Sequence, residues 1–334
     1  MIEKIAKAPF QDVPFKHIEI KDFFNSDDFQ EITSSAEVDL EPAESDKDLF
    51  ESLFKTGYRI IQFPGCVTDK DEYMEWRKNG KPRARKYQKT TEGFGMTLRL
   101  TEPTSPLMTE LRDFFASETF NQALAGKFDL DLDEMIVDNG IQKYLDGYEI
   151  SPHPDNRRKA CTFMVNINSG TRSEVRNHHT HYMKFKESYQ YVPHFWAGNP
   201  DIQRCWVPWD WCETVKQQTE NNSIVLFSPN DFSLHAVIAD YDHLSGQRTQ
   251  IYGNLFSKEK PNYSHQSWKR LDLVTEKVLP VGQGKTPNSK PKPKTQLGKL
   301  AAKLGFVKTS IATEKKKPKF NKDERAIRPR NQKH

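Results

Sequence analysis

The sequence of 334 residues lacks long apolar runs and has little cysteine. No run approaches the roughly 18 apolar residues that a membrane-spanning helix needs, and the first residues lack the apolar segment of a secretory signal. The four cysteines are scattered, and Cys205 and Cys212 do not have the Cys-x-x-Cys spacing of redox or zinc sites. These absences predict a cytoplasmic protein with reduced thiols and no transmembrane segment.

Charge is distributed unevenly along the chain. The net charge is +4, but residues 281–334 carry 16 Lys/Arg and 3 Asp/Glu, which leaves 34 basic and 43 acidic residues for 1–280. The carboxyl-terminal segment is rich in Lys and Pro, and we predict a disordered basic tail with a short amphipathic helix over 297–304. Any affinity for nucleic acid or an anionic surface is therefore expected through residues 283–334, and a solvated extension without a partner is the alternative.

Helix-capping residues mark the first part of the chain. Asn25-Ser26 precedes a run with acidic residues in its first turn, and Ser105-Pro106 and Ser117 each precede an apolar stripe at helical spacing. The two stripes predict helices packed on the outer face of a sheet. Residues 67–92 are charged and turn-prone, and they are predicted to form a solvated loop, with a lid over the substrate as the alternative.

From Met135 to Phe256, short β-like runs alternate with turns, which is the pattern of a sandwich or barrel. The candidate strands are residues 135–138, 141–145, 160–168, 189–195, 223–228 and 248–256. In the run 160–168, Thr162, Met164 and Asn166 share one face, opposite a more apolar one. This alternation predicts an interior lined with moderately polar groups, which suits a barrel that holds a polar ligand.

Two distant segments hold candidate metal ligands. His153 and Asp155 lie two residues apart in a Pro/Gly-rich turn, and His235 follows a run that has the character of a buried strand. Two imidazoles and one carboxylate that leave coordination positions open are the ligand set of non-haem Fe(II) oxygenases, although this set can also take Mn, Co or Zn. The cluster His178-His179-Thr180-His181 is a competing source of ligands, but no strand and arginine accompany it.

Arg248 begins the last strand-like run. Period-two geometry places Gln250, Tyr252 and Asn254 on the same face as Arg248. An arginine on the inner face of a barrel needs an anion, because an unpaired buried charge is costly. A dicarboxylate co-substrate can supply that anion through a bidentate, charge-assisted pair.

The order of these motifs resembles a known family. The resembling residues are Tyr144-x-x-Gly147, His153-x-Asp155, His235 and Arg248. Their order is similar to that of the 2-oxoglutarate/Fe(II)-dependent dioxygenases, prolyl-4-hydroxylase-like branch, and the lead-in 15–24 is also similar. The resemblance covers residues 14–258. It implies an α+β, mainly β fold with a double-stranded β-helix (jelly roll) core and amino-terminal helices packed on one sheet.

The resemblance also implies roles for individual residues. His153, Asp155 and His235 would be the catalytic metal ligands and would bind Fe(II). Arg248 would hold the distal carboxylate of 2-oxoglutarate, and Tyr144 would form a hydrogen bond with this co-substrate. Asn166 lies near the place where these hydroxylases often have another tyrosine, and it is the remaining candidate for the co-substrate site.

The implied reaction uses O₂ and 2-oxoglutarate to hydroxylate a C–H bond of a peptide side chain or small metabolite, with release of succinate and CO₂. The presence of Asp155 favours hydroxylation, because related halogenases lack the metal carboxylate. Members that repair nucleobases usually have a second arginine six residues after the first. That position is Asn254 here, which counts against nucleobase repair.

We therefore predict three segments: an extension over 1–13, a jelly-roll oxygenase domain with helical support over 14–280, and the basic tail over 281–334. The alternative function is a catalytically silent jelly-roll module that docks to nucleic acid or an anionic membrane through its tail. The complete site argues against it, because a silent module needs none of those residues. Four tryptophans, Trp196, Trp206, Trp209 and Trp211, are predicted to pack in an insertion or to form an aromatic wall for substrate.

Overall fold

The computed structural model describes residues 1–82, 94–170, 173–199, 202 and 205–259, and the backbone of 270–272 and 277–279. The chain divides into two compact units, Met1–Gln266 and Ser267–His334. In the second unit, strand Arg270–Asp272 pairs with strand Lys277–Leu279 in an antiparallel ribbon. The predicted basic tail over 281–334, including its amphipathic helix, lies outside the described residues.

Helices and antiparallel sheets build the described part of the first unit. Its α-helices are α1 (Ile2–Lys7), α2 (Ser26–Thr33), α3 (Asp46–Lys55), α4 (Lys70–Lys78), α5 (Pro106–Ala116), α6 (Glu118–Phe128) and α7 (Val192–Ala197). Its strands are β1 (Ile18–Ile20), β2 (Tyr58–Ile60), β3 (Thr97–Leu100), β4 (Met135–Tyr144), β5 (Glu149–His153), β6 (Lys159–Asn166), β7 (Thr180–Phe185), β8 (Cys212–Gln217), β9 (Ile224–Phe227), β10 (His235–Ile238) and β11 (Arg248–Ser257). The fold is α+β and mainly β, as predicted.

The strands form two sheets. The large sheet has the order β1-β9-β6-β11-β4-β3-β2, and the small sheet has the order β5-β10-β7-β8. All pairings in both sheets are antiparallel. Buried side chains of both sheets meet in one cluster, which contains Met164 of β6, Tyr182 of β7 and Phe227 of β9. The two sheets therefore pack face to face.

Short polar residues begin the helices at the predicted places. The Asn25 side chain accepts from the backbone N–H of Asp28 at 2.8 Å. Ser105 and Ser117 cap α5 and α6 by accepting from backbone N–H groups three residues later, at 3.3 and 3.2 Å. These bonds satisfy N–H groups that have no partner inside the helix, and they confirm the three predicted helix starts.

Strand β6 separates two different interiors. Phe163 and Val165 belong to the main hydrophobic core that the helices cover, and the Phe163 ring lies 5.3 Å from that of Phe120 on α6. Thr162 and Met164 lie on the opposite face, between the two sheets. The predicted alternation is confirmed, and the helices pack on the outer face of the large sheet.

Several predictions about elements are wrong. Residues 189–195 were predicted to form a strand but lead into α7, where Pro193 occupies the first turn and has no N–H to give to a neighbouring strand. The predicted loop over 67–92 contains α4, which is capped by the Asp69 carboxylate, and its residues 83–92 lie outside the described chain. The short strands β5, β7, β8 and β10 were not among the candidates.

Two segments outside the sheets contribute to buried apolar clusters. Residues 1–13 include α1, whose Ile5 is fully buried in the main core. In the insertion, Trp196 is buried, and Trp209 and Trp211 pack against the same apolar cluster, as the packing alternative predicts. Among the described residues, none of the helices is long and apolar enough to cross a membrane.

Candidate metal centre

Three predicted ligands converge at one end of the small sheet. His153 ends β5 and lies opposite His235, the first residue of β10, in the antiparallel register. Asp155 follows two residues after β5. The Nε2 atoms of His153 and His235 lie 3.9 and 3.8 Å from Asp155 Oδ1. Among the described residues, this is the one group of three His, Cys, Asp or Glu whose ligand atoms lie within 4.8 Å of one another.

Backbone carbonyls orient both imidazoles. His153 Nδ1 lies 2.8 Å from the carbonyl oxygen of Ser151, and His235 Nδ1 lies 3.0 Å from that of Ser233. In a neutral imidazole, Nδ1 donates to such a carbonyl and Nε2 keeps its lone pair for a metal. Burial and the neighbouring His235 lower the pKa of His153 to about 3, and burial also lowers the pKa of His235. Both rings are therefore neutral at neutral pH.

Two side chains hold the Asp155 carboxylate. Thr162 donates its hydroxyl hydrogen to Oδ2 at 2.7 Å, and the Lys159 ammonium donates to Oδ1 at 2.5 Å. Burial by itself would raise the pKa of Asp155, but the charge of Lys159 and the two imidazoles outweigh it and hold the pKa below its usual range. Asp155 is therefore ionised and available to bind a cation.

These three residues fit a divalent metal. Two neutral imidazoles with available Nε2 atoms and one ionised carboxylate, whose ligand atoms lie within 4.8 Å of one another, provide the donor set of a facial triad. The competing cluster does not converge in this way. His178 and His179 direct Nε2 to the carbonyl oxygens of Ser173 and Glu174 at 2.9 and 3.0 Å.

Arg248 lies buried between the two sheets at the start of β11. Its Nη2 donates to Thr180 Oγ1 at 2.8 Å and to Gln250 Oε1 at 2.9 Å. Its Nη1 is buried and has no hydrogen-bond partner among the described residues. Burial lowers the pKa of Arg248, and the surrounding ionisable groups that oppose this effect are tyrosines instead of carboxylates. A buried guanidinium in this position fits an anionic ligand.

Tyr144 lies under the guanidinium of Arg248, whose central carbon is 4.7 Å from the ring centroid. In the amide orientation that gives both the nitrogen and the oxygen of Gln142 a hydrogen-bond partner, its NH₂ group donates to the Tyr144 hydroxyl at 2.6 Å and its oxygen accepts from Arg99. Burial raises the pKa of Tyr144. The hydroxyl therefore stays protonated and can donate its hydrogen to an anion beside Arg248.

Asn166 is linked to Arg248 through Gln250. Its Oδ1 accepts from Gln250 Nε2 at 2.6 Å, and its Nδ2 donates to the carbonyl oxygens of Gln218 and Glu220 at 2.9 and 3.0 Å. Asn166 thus holds Gln250, which in turn holds Arg248. Its predicted contact with the co-substrate stays a prediction.

Comparison with known proteins identifies distant structural likenesses. No protein-family model matches the chain, and no curated protein sequence matches it. A prolyl-4-hydroxylase from Pseudomonas putida is 9% identical, with a TM-score of 0.37, over 77% of this chain and 97% of the other. A prolyl hydroxylase from Trichoplax adhaerens, solved with a peptide fragment of the hypoxia inducible factor, is 11% identical, with a TM-score of 0.39, over 79% and 91% of the two chains. Similarity this low says nothing about individual residues, so the site stands on its own geometry.

Two residues of the site were missed in the sequence. Lys159 lies four residues after Asp155, and in the basic run Arg157-Arg158-Lys159 nothing distinguishes it from the two arginines beside it. Thr180 stood within the competing histidine cluster, and its role depends on β7 lying across from β11. Only the pairing of the two sheets brings Thr180 to Arg248.

Proposed function

We propose that this chain is an Fe(II)- and 2-oxoglutarate-dependent oxygenase that hydroxylates a C–H bond of a peptide side chain or small metabolite. The convergence of His153, Asp155 and His235, with ligand atoms within 4.8 Å of one another, carries the proposal. Two neutral imidazoles and a carboxylate would occupy three positions of a six-coordinate Fe(II) and leave three for co-substrate and O₂. Bound Fe(II), with O₂ and 2-oxoglutarate, would supply the oxidation of the C–H bond and the formation of succinate and CO₂.

A double-stranded β-helix is the architecture that we propose for the two facing sheets. In this interpretation, β9, β6, β11 and β4 form one wall and β5, β10, β7 and β8 form the other. The strand orders of the two sheets and the antiparallel pairing of neighbouring strands in each wall support this architecture. The helices would then support the large sheet from outside, within the predicted domain over 14–280.

The co-substrate would bind between the metal centre and Arg248. Arg248 Nη1 would pair with the distal carboxylate of 2-oxoglutarate, since it is buried and has no partner among the described residues. Thr180 and Gln250 fix the orientation of the guanidinium through its other nitrogen. Tyr144 would donate its hydroxyl hydrogen to the bound co-substrate.

The fixed position of the Asp155 carboxylate favours hydroxylation over reactions, such as halogenation, that need a further coordination position on the metal. Asp155 is held by Thr162 and Lys159 with both carboxylate oxygens engaged, so the carboxylate is fixed as the third ligand. The remaining positions then suffice for the co-substrate and O₂. The substrate would approach from the side of the metal that the three ligands leave free. The cytoplasmic location stays a prediction.

Binding and turnover together test the proposal. Fe(II) and 2-oxoglutarate binding would be measured anaerobically by calorimetry, and succinate would be measured in air over a set of peptides and small metabolites. We expect His153→Ala to abolish metal binding and Arg248→Ala to abolish 2-oxoglutarate binding to the metal-loaded protein. His181→Ala, from the competing cluster, is the matched control and should bind Fe(II) like the wild type. A wild-type protein that binds no Fe(II) and forms no succinate would refute the proposal.

A further inference from the structure

Lys159 is a buried lysine within the candidate metal centre. It is the first residue of β6, and its side chain is only 12% exposed. Its Nζ donates to Asp155 Oδ1 at 2.5 Å and to the Tyr252 hydroxyl at 2.8 Å. Asp155 is its one ion-pair partner among the described residues, because Tyr252 is a neutral acceptor.

The oxygen that accepts from Lys159 is also the one that faces both imidazoles. Asp155 Oδ1 lies 3.9 Å from His153 Nε2 and 3.8 Å from His235 Nε2, whereas Oδ2 accepts from Thr162. A metal bound by both imidazoles would therefore use Oδ1. The ammonium group and the metal would then share one carboxylate oxygen and lie a few ångströms apart.

Two like charges at that separation repel strongly in a buried site, because little water screens them. The ammonium also draws electron density from the oxygen that must donate to the metal. A group that accepts a hydrogen bond from a metal ligand usually raises the basicity of that ligand and so strengthens its bond to the metal. A lysine on a ligand carboxylate has the opposite effect.

We propose that Lys159 is a positioning residue that limits the affinity of the centre for a divalent metal, by sharing the Asp155 oxygen that faces both imidazoles. The inference rests on the proposed function only in that His153, Asp155 and His235 bind a metal. Lys159 keeps the carboxylate in place and at the same time weakens its binding to the metal.

One consequence concerns the co-substrate. A metal dication bound by Asp155 would add its charge to those of Lys159 and the buried Arg248, and these four groups together would carry a net charge of +3. Dianionic 2-oxoglutarate would reduce this excess, so metal and co-substrate should strengthen each other's binding. Removal of the Lys159 charge should make metal binding tighter and less dependent on 2-oxoglutarate.

The experiment measures the dissociation constant of Mn(II), which avoids turnover, by calorimetry on the full chain with and without 2-oxoglutarate. We expect Lys159→Met to bind Mn(II) about tenfold more tightly than the wild type, a change opposite in sign to the roughly tenfold or larger loss that usually follows when a group holding a metal ligand is removed. Lys159→Gln, which retains a hydrogen-bond donor, should change in the same direction. Lys159→Arg keeps the charge and should not bind more tightly. The exposed Lys184, which pairs with Glu213 on the surface, gives the matched control Lys184→Met, with no change expected.

The sign of the effect separates this role from a purely structural one. If Lys159 only held Asp155 in place, Lys159→Met and Lys159→Gln would bind Mn(II) more weakly, and equal or weaker binding in both variants overturns the inference. His153→Ala distinguishes that result from failure of the proposed function. If the wild type binds Mn(II) and His153→Ala does not, the metal centre stands and the Lys159 variants alone decide. If neither the wild type nor the Lys159 variants bind Mn(II), the proposed function fails as well.

Discussion

Arg248 shows at the scale of one residue how the requirements of a candidate binding site conflict with stability. The residue is 2% exposed, and one nitrogen of its guanidinium has no hydrogen-bond partner among the described residues. Removing a cation from water costs several kcal/mol unless an anion pairs with it. A side chain chosen for stability alone would be apolar at this position. The arginine is therefore best explained by a ligand that supplies the missing charge.

Replacing Arg248 with methionine should separate the two roles. Because a hydrophobic side chain of similar volume often replaces a buried charge without loss of stability, we expect Arg248→Met to melt at or above the wild-type temperature without ligands. The rise in melting temperature that 2-oxoglutarate gives to the metal-loaded wild type should disappear. Thermal denaturation with and without 2-oxoglutarate measures both effects. A variant that melts lower and still gains stability from 2-oxoglutarate would contradict the assignment.

His178 is a second residue whose burial has a measurable consequence. It is 1% exposed, and burial together with the charges of Arg248 and His179 lowers its pKa to about 2. The unfolded chain, with a histidine pKa of about 6.5, takes up a proton below that pH which the folded chain does not take up until near pH 2. The contribution of this group to stability is therefore complete above pH 6.5 and is lost as the pH falls below it.

His178→Phe should reduce this acid sensitivity, because phenylalanine keeps the stacked contact with Tyr241, whose ring lies 4.9 Å away, and cannot be protonated. Chemical unfolding at pH 4 to 8 would show the effect. Between about pH 6 and 4, we expect the free energy of unfolding to fall less steeply than in the wild type, by up to about 1.4 kcal/mol per pH unit. Above pH 7.5 the two slopes should agree. Parallel curves through the acid range would show that His178 is protonated in the folded state.

At the scale of elements, local signals explain which parts could be predicted from the sequence. The starts of α5 and α6 follow from Ser105 and Ser117, whose side chains act on N–H groups only three residues away. Strand β11 follows from ten residues of alternating character. In both cases the stabilising contacts lie within a few residues or repeat with a fixed period, so the sequence displays them.

The small sheet could not be predicted in the same way. Strand β5 has only five residues and contains Pro152, which is tolerated because β5 is an edge strand of its sheet. Strand β10 has four residues, and its pairing with β5 and β7 joins segments far apart in the chain. The three candidate ligands, which the structure brings together, could nevertheless be predicted from residue type and order, whereas the contacts of Lys159 and Thr180 depend on the pairing of strands and could not.

The turn between β4 and β5 lies between Tyr144 and His153, two residues of the candidate site, and Gly147 determines its conformation. Its φ is +82°, and a Cβ atom there would lie 2.3 Å from the Trp76 ring. Its N–H donates to the carbonyl oxygen of Ala239 at 2.8 Å, which ties the turn to the chain just after β10. The turn therefore needs a glycine both for its backbone conformation and for space.

Gly147→Ala should lower the free energy of unfolding by at least about 2 kcal/mol, because strain at positive φ adds to the clash. Gly126→Ala is the matched control. Gly126 lies in α6, and a Cβ atom there would meet nothing within 4 Å, so alanine should stabilise the protein by about 0.4–1 kcal/mol. Urea unfolding of both variants measures the two effects. Equal effects of the two substitutions would show that the turn tolerates a side chain.

For the whole first unit, the candidate site acts as a bridge between the two sheets. His153 and His235 belong to the small sheet, whereas Asp155 is held by Thr162 and Lys159 of the large sheet. Arg248 of the large sheet and Thr180 of the small sheet form a second connection. A ligand bound at these points would contact both sheets, so its binding free energy would stabilise the whole unit against unfolding.

Metal binding should therefore raise the melting temperature of the protein as one cooperative transition. At a metal concentration 100 times the dissociation constant, a ligand specific for the folded state adds about 2.7 kcal/mol to the free energy of unfolding. Calorimetry of the chelator-treated protein, before and after addition of Mn(II), measures this gain. His235→Ala should show no gain, because it removes a ligand of the small sheet, whereas Asp155 stays bonded to Thr162 and Lys159 of the large sheet. A gain that persists in His235→Ala would place the metal elsewhere. A gain limited to a separate minor transition would show that the metal does not join the two sheets.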